Sequence, residues 1–354
     1  MSQDGIKPIL LKAKLREVQP FDLRYGAYFD TDRGPGAIVD FTNRNSLGSA
    51  RAIGGRLRYD GDFREGRVFF SQPLLRRFPV QTIFSGFVNR SLLPTFITDR
   101  AGVSMQQEMR FKRRYLLNYG YRLERVHTYE KTPDEFLPFD VTLRVAPLTF
   151  TMNRESRDDV LDATRGSFLS HAFEWAPELL GSDVRFIRYY AQYFKYIALA
   201  KPTEIPMSGG VKKPRLVYAG AARLGLARGL GGQELVISER FFAGGGTTLR
   251  GFAQNTLGPK DFLSEPAGGN AVVLINNELR FPVASIFDGV GFLDVGNAYR
   301  RASDFSFGDL RKAAGAGLRI RTPYFLIRLD YGFKLDRRPG ESRGGFFFSI
   351  GQAF

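Results

Sequence analysis

The stretch FFAGGGTTLRGFAQNTLGP, residues 241–259, gathers residue types that could do chemistry: three consecutive glycines, then two adjacent threonines and an arginine. A phosphate-cradling loop needs a Lys followed by Ser or Thr after its second Gly, because the Lys and the hydroxyl hold phosphate and Mg²⁺. Here the glycines lead to Thr247, Thr248, Leu249 and Arg250, with no such Lys. A dinucleotide loop should open a helix and be followed by an acidic residue about 20 residues on. Residues 255–270 are instead rich in Gly, Pro and polar side chains. Other chemistries fail on spacing as well. His127 and His171 lack metal-ligand spacing. Asp158, Asp159 and Asp162 lack the Gly and closing Glu of a calcium loop. No G-x-S-x-G elbow occurs. No enzyme is expected, and no cofactor or metal.

The elements that would hold this loop are read from the patterning. The chain has 354 residues, no Cys, one Trp, 33 Phe and 15 Tyr, yet its mean hydropathy is −0.21. No run approaches the ~20 apolar residues that a spanning helix requires. The start, MSQDGIKPILLKAKLREV, lacks the apolar core and small-residue cleavage site of a signal peptide. It reads as either a cytosolic chain or a mature or excised segment. A formal charge of +15 points to an anionic partner or surface. The 51 Lys and Arg are spread along the chain, however, which argues against a nucleic-acid reader. The short basic runs Arg76–Arg77 and Lys112–Arg114 suit solvated faces or contacts to anionic lipid.

Alternation is the organising signal. FDLRYGAYFD puts Phe21, Leu23, Tyr25, Ala27 and Phe29 on one side of a strand and mostly polar residues on the other. RFIRYYAQYFKYIALA (185–200), LVYAGAARLGLARG (216–229) and FLIRLDYGFKL (325–335) alternate similarly, and TDRGPG, NSLG, YDGD and DRRPGES supply turns. About 16 candidate strands, most around ten residues long, match the signature of a transmembrane barrel. A soluble sandwich, propeller or lipocalin-like barrel would alternate too. Three features favour the membrane. The strands outnumber those of one sandwich. Charges sit mid-strand, at Arg188, Arg223, Arg319, Arg321, Arg328 and Asp330. The chain ends GGFFFSIGQAF, on an aromatic residue, where a closed barrel pairs its last strand with its first.

At this point several motifs, in order, carry a resemblance. LRGF (Leu249, Arg250, Gly251, Phe252) is preceded by ERFFAGG and followed by NTLGP. NNELRFP (276–282) and GFLDVGNAY (291–299) come next, the latter holding an F-x-D-x-G pattern at Phe292, Asp294 and Gly296. GAGLRIRTPYFLIRLDYGFKL (315–335), TFTMNRESRDDVLDATRGSFLS (149–170, with Ala163 where Pro is usual) and LRYGAYFDTDRGPG (23–36) complete the set. Together they resemble the BamA/TamA superfamily of outer-membrane insertases and its two-partner-secretion relatives. The resemblance implies an all-β fold: a 16-stranded antiparallel transmembrane β-barrel over residues 21–354, with an inward-folded extracellular loop. Residues 1–20 would be the remnant of a periplasmic module (POTRA-like) or a linker.

The resemblance further implies that Arg250 clamps the loop tip to Asp294 and Glu278. A guanidinium inside a barrel needs carboxylates, and bidentate pairing orients it. A plain stabilising salt bridge would use the same groups. It also implies an imperfect seam between the first strand, about Phe21–Asp30, and the last, Gly344–Phe354, with the neighbourhood of Tyr25 expected to face that of Ile350 across it. Gly351 would permit a kink there, and Ile350 and Phe354 would face lipid or an assembly factor. The implied function is insertion or translocation of outer-membrane proteins through that seam. The alternatives are secretion of a dedicated passenger and a passive porin-like channel. The implied partners are outer-membrane lipids (lipopolysaccharide being one candidate), unfolded outer-membrane protein clients, and periplasmic or inner-membrane proteins. The implied location is a bacterial-type outer membrane.

Overall fold

Side chains that alternate in polarity along a strand can satisfy two solvents at once, and the chain uses this around a closed ring. The computed structural model describes residues 19–47, 50–73, 80–132, 139–160, 162–200, 202–204, 212–214, 216–284, 286–322 and 326–351. Its strands are β1 (Phe21–Asp30), β2 (Gly34–Asn43), β3 (Ala52–Tyr59), β4 (Phe63–Gln72), β5 (Val80–Leu92), β6 (Phe96–Phe111) and β7 (Tyr115–Glu130). There follow β8 (Asp140–Val145), β9 (Leu148–Glu155), β10 (Gly166–Ala176), β11 (Phe186–Ala198), β12 (Pro202–Glu204), β13 (Lys212–Pro214) and β14 (Val217–Gly229). The last five are β15 (Ala271–Ala284), β16 (Phe287–Tyr299), β17 (Arg311–Arg321), β18 (Leu326–Lys334) and β19 (Gly344–Gly351).

All but β12 and β13 belong to one antiparallel sheet of 17 strands that closes through β1 and β19, while β12 and β13 form a separate ribbon. β8 and β9 both pair with β7 in one continuous register, Arg125↔Arg144 and Tyr121↔Leu148. They are one stave interrupted at Ala146–Pro147, because Pro has no N–H to give the ladder. The barrel therefore has sixteen staves.

Outward positions carry the large apolar side chains. Phe21, Leu23 and Tyr25 of β1, Val39 and Phe41 of β2, and Leu279, Phe281 and Leu293 of β15 and β16 are all exposed. This is the apolar band that a barrel turns to lipid. The chain has a buried core too, but inside the ring. Phe241, Ala243, Leu249, Phe252 and Leu257, all between β14 and β15, pack with Val272, Leu274, Ala298 and Ala313 of the wall. Because neighbouring staves are antiparallel, the connections β1–β2, β14–β15 and β18–β19 share one end, the loop end. The connections β6–β7, β9–β10 and β11–β14 lie at the other.

Candidate functional site: a loop clamped inside the barrel

The glycines of residues 244–251 solve a backbone problem. Gly244, Gly245 and Gly251 sit at φ of 107°, 98° and 94°, a region that side chains disfavour. They fold the segment into a tight turn. Gly245 N–H donates to Phe252 O at 2.9 Å, and Gly244 N–H donates to Thr248 Oγ1 at 2.9 Å. The turn seats on a patch where the wall has no side chains. A Cβ on Gly332 of β18 would come within 2.7 Å of Gly251 N and 2.8 Å of the Arg250 carbonyl carbon.

Arg250 projects from this turn and is 4% exposed. Its Nε donates to Asp294 Oδ2 at 2.7 Å and its Nη2 to Asp294 Oδ1 at 2.8 Å, a bidentate pair. Its backbone N–H donates to the same carboxylate at 3.1 Å. Nη1 donates to Glu278 Oε1 at 2.7 Å. The guanidinium lies 3.5 Å from the Phe292 ring centroid, stacked over its face. Asp294, from β16, is fully buried. Asp330 of β18 stands 3.7 Å from Arg250 Nη1 and accepts from Arg319 at 2.6 and 2.9 Å. Glu278 accepts also from Arg280 at 3.1 Å. Arg250, Arg280 and Arg319 thus pair with Glu278, Asp294 and Asp330, and Arg328, the register partner of Arg319, adds a fourth cation beside them. Phe252, the next aromatic, takes Arg311 and Lys334 over its ring at 4.7 and 5.0 Å.

A second cluster, absent from the sequence reading, holds the same loop to the opposite wall. Glu239, in a short 3₁₀ turn (Ile237–Glu239), is 1% exposed. It accepts from Arg100 of β6 at 2.8 Å and lies 3.7 Å from Arg188 of β11. Glu124 accepts from Arg100 at 2.8 Å and lies 3.1 Å from Arg122, and Glu174 lies 3.6 Å from Arg122 and 3.9 Å from Arg188. Here three arginines meet three glutamates. The loop therefore offers a guanidinium to acids on β15, β16 and β18, and a carboxylate to arginines on β6 and β11. Alternation gives the inward phase of the three arginines, but Glu239 lies in ISERFF, a segment without periodicity that names no partner for it. We expect Glu239→Ala to cost about 3–5 kcal/mol, the penalty for stranding buried charges. The midpoint of denaturant unfolding in detergent micelles checks this, and an unchanged midpoint would contradict it.

The loop also reaches the place where the barrel closes. Gly246 N–H donates to Asp32 Oδ2, in the β1–β2 turn, at 2.7 Å. A Cβ at Gly246 would stand 3.1 Å from the Phe347 ring of β19. One residue thus touches both sides of the closure. Burial raises the Asp32 carboxyl above its ordinary value, against the opposing pull of the Gly246 N–H. A raised carboxyl contributes stability that is present below its unfolded pKa and is lost as pH rises through the folded one. Asp32→Asn should therefore equal or exceed the parent in thermal stability at neutral pH, with a flatter acid profile. A parent more stable than the variant at neutral pH would contradict this.

Among the described residues, β1 pairs with β19 through Phe29↔Ile350 and Asp30↔Ser349, while it pairs with β2 over all ten of its residues. Thr31 N–H donates to Phe348 O at 3.0 Å just above the ladder, and the Phe29 and Phe348 rings lie 5.7 Å apart. This corrects the sequence expectation that Tyr25 lies near Ile350. Tyr25 faces Val39 of β2, is 83% exposed, and stands four residues from the partner of Ile350, which is Phe29. Gly351 pairs with Leu326, and Gly296 pairs with Leu274 and Arg311. Phe354, Arg76 and Arg77 lie outside the described residues. His171 contacts Tyr189 Oη at 2.6 Å, His127 contacts Asp140 at 2.8 Å, and Asp158 accepts from Thr164 and Arg165. Among the described residues no group of His, Cys, Asp and Glu is arranged to hold a metal ion.

Comparison with known proteins gives this geometry its family. Residues 45–354 match the Omp85 superfamily domain. The chain is 25% identical over 355 residues to the outer membrane protein assembly factor BamA of Nitratidesulfovibrio vulgaris, covering 97% of this chain and 43% of that protein. It is 24% identical to the BamA of Neisseria meningitidis, covering 73% of this chain and 36% of that protein. A SAM50-like protein of Schizosaccharomyces pombe is 25% identical, covering 69% of this chain and 50% of that protein. The chain thus spans half or less of the length of these relatives. Among solved structures, BamA from Haemophilus ducreyi lacking POTRA domains 1–3 superposes with a TM-score of 0.78 at 18% identity, covering 95% of this chain and 71% of that one. The chain is an outer-membrane β-barrel that belongs to the Omp85 superfamily.

Proposed function

We propose that this barrel is the membrane unit of an outer-membrane protein assembly factor, and that it inserts β-barrel clients through a seam between β1 and β19. The observation that carries the reading is the contrast around the ring. β1 is held to β19 by two ladder pairs among the described residues, while neighbours elsewhere pair over as many as sixteen. A seam that parts sideways offers a client an unpaired edge inside the membrane. Strand addition there satisfies backbone groups that would each cost several kcal/mol if left bare in lipid. The loop clamped by Arg250 and Glu239 braces the wall away from the seam, and opening must release its contact at the closure, where Gly246 N–H donates to Asp32. This mechanism is non-catalytic, and its partners are lipid and unfolded outer-membrane protein clients. The names carried by the relatives from N. vulgaris and N. meningitidis support it.

Secretion of a dedicated passenger through the lumen is the second reading. It is favoured by fold likeness to CdiB from Escherichia coli and Acinetobacter baumannii, at TM-scores of 0.59 and 0.56. A loop that crosses the lumen must leave before a passenger can pass. The discriminating experiment reconstitutes the protein in liposomes and adds a urea-denatured barrel client. Acceleration of its folding into the bilayer, read by protease protection, supports insertion. No acceleration, together with large steady ion conductance, would replace it with a channel.

A further inference from the structure

We propose that the outer wall across β3–β7 holds a binding site for an anionic lipid, with an acyl chain in a trough and its phosphate on two arginines. Leu57↔Gly66, Gly66↔Val88 and Val88↔Ala101 are successive register pairs, so these four residues form one outward row across β3, β4, β5 and β6. Leu57 and Val88 are 65% and 59% exposed, while Gly66 and Ala101 beside them are small. The alternation of large and small leaves a trough of about 660 Å³ in the lipid-facing wall. Arg125 of β7 continues this row by pairing with Ala101. Arg64 of β4 stands one outward row nearer the loop end, opposite Tyr59 and Arg90.

The charges around the trough are unequal in their partners. Arg90 is held by Asp99 at 2.6 and 2.7 Å, and His127 by Asp140 at 2.8 Å. Arg64 and Arg125 are exposed, and among the described residues neither makes an ion pair. Arg64 lies over the Tyr59 ring at 5.0 Å. Two unpaired guanidinium groups at the edge of an apolar surface call for an anion on an apolar stem, and a guanidinium matches phosphate geometry. Arg64 and Arg125 are three strands apart, roughly 14 Å at ordinary strand spacing, so that two long side chains can converge on a headgroup between them. The next outward row toward the loop end, Tyr59, Arg64, Arg90, Asp99 and His127, carries charged groups. A phosphate-bearing, acylated lipid therefore fits the trough and the rim together.

The test uses the absence of Cys in this chain. A Cβ at Gly66 would meet Val88 Cγ2 at 3.5 Å and Leu57 Cδ2 at 3.8 Å, ordinary contacts, so Gly66→Cys is tolerated. Bimane is attached there and, as a control, at Leu293→Cys on the lipid-facing side of β16. The protein is placed in phosphatidylcholine vesicles carrying dibrominated phosphatidic acid or dibrominated phosphatidylcholine at equal mole fraction. At residue 66 the apparent affinity for the phosphatidic acid quencher should be about tenfold higher, the effect of one to two cation–phosphate contacts, with no such preference at residue 293. Arg64→Gln with Arg125→Gln should abolish the preference, and Arg64→Lys with Arg125→Lys should retain most of it. Inorganic phosphate should leave the quenching unchanged; relief of quenching by phosphate would assign the site to the free anion and overturn the lipid reading. Equal quenching by both lipids, or a preference that survives the Gln pair, would also overturn it.

Discussion

Arg250→Ala is expected to be among the most damaging single substitutions in the barrel, costing about 3–5 kcal/mol of stability. The reason lies in what remains behind. Asp294 is fully buried and accepts three donations from Arg250 alone, two from the guanidinium and one from the backbone N–H. Without the guanidinium, that carboxylate must stay charged and unpaired or take up a proton. Glu278 keeps Arg280 at 3.1 Å, so it is less exposed to the loss. Asp294→Asn should therefore cost less than Arg250→Ala, because it removes the charge that needs a partner, and the double variant should cost less than the sum. Thermal unfolding followed by the mobility shift of folded barrels on gels checks all three. Strict additivity would mean that the pair is not a coupled unit.

Gly332→Ala should reach the same outcome without touching a charged group. Its Cβ would lie 2.7 and 2.8 Å from backbone atoms of Gly251 and Arg250, and backbone cannot step aside as the end of a flexible side chain can. Either the loop tip lifts away or β18 shifts, and overpacking of this kind costs about 1–3 kcal/mol before any lost ion pair is counted. Protease accessibility of residues 241–259 is the direct reading. The parent should resist cleavage there and the variant should not. Equal resistance would show that the wall, and not the tip, absorbs the added methyl group.

How far the sequence disclosed this site follows from what each level of structure requires. Alternation is local, so it revealed the strands, while the clamp from Arg250 to Asp294 and Glu278 came from the family resemblance. Arg-Gly-Phe, between glycines and ahead of the F-x-D-x-G strand, marked the loop tip. Other features needed information that no local pattern holds. Asp330 was visible as a mid-strand charge, but its meeting with Arg250 depends on the curvature that brings β18 near β15 and β16. Glu239 sits on a loop without periodicity, and its partners Arg100 and Arg188 lie far off in the chain. The closing register was misplaced for a related reason. A hairpin turn sets the register of neighbours, but no turn joins β1 to β19. Nothing near Tyr25 or Phe29 says which of them faces Ile350. The count of about 16 strands agrees with the sixteen staves, because Pro147 breaks the ladder between β8 and β9 without changing the register.

If the β1–β19 seam opens during client insertion, a disulfide across it should stop that insertion. Phe29 and Ile350 are register partners. Facing residues of antiparallel strands have Cα atoms about 4.5–5.5 Å apart, within disulfide reach. The chain contains no other Cys, so Phe29→Cys with Ile350→Cys forms one defined bridge. Client folding into liposomes is measured with the bridge oxidised and again after reduction. Client folding should be lost when the bridge is oxidised and recovered on reduction, with each single Cys variant unaffected by oxidant. Full activity with the seam locked would contradict seam opening.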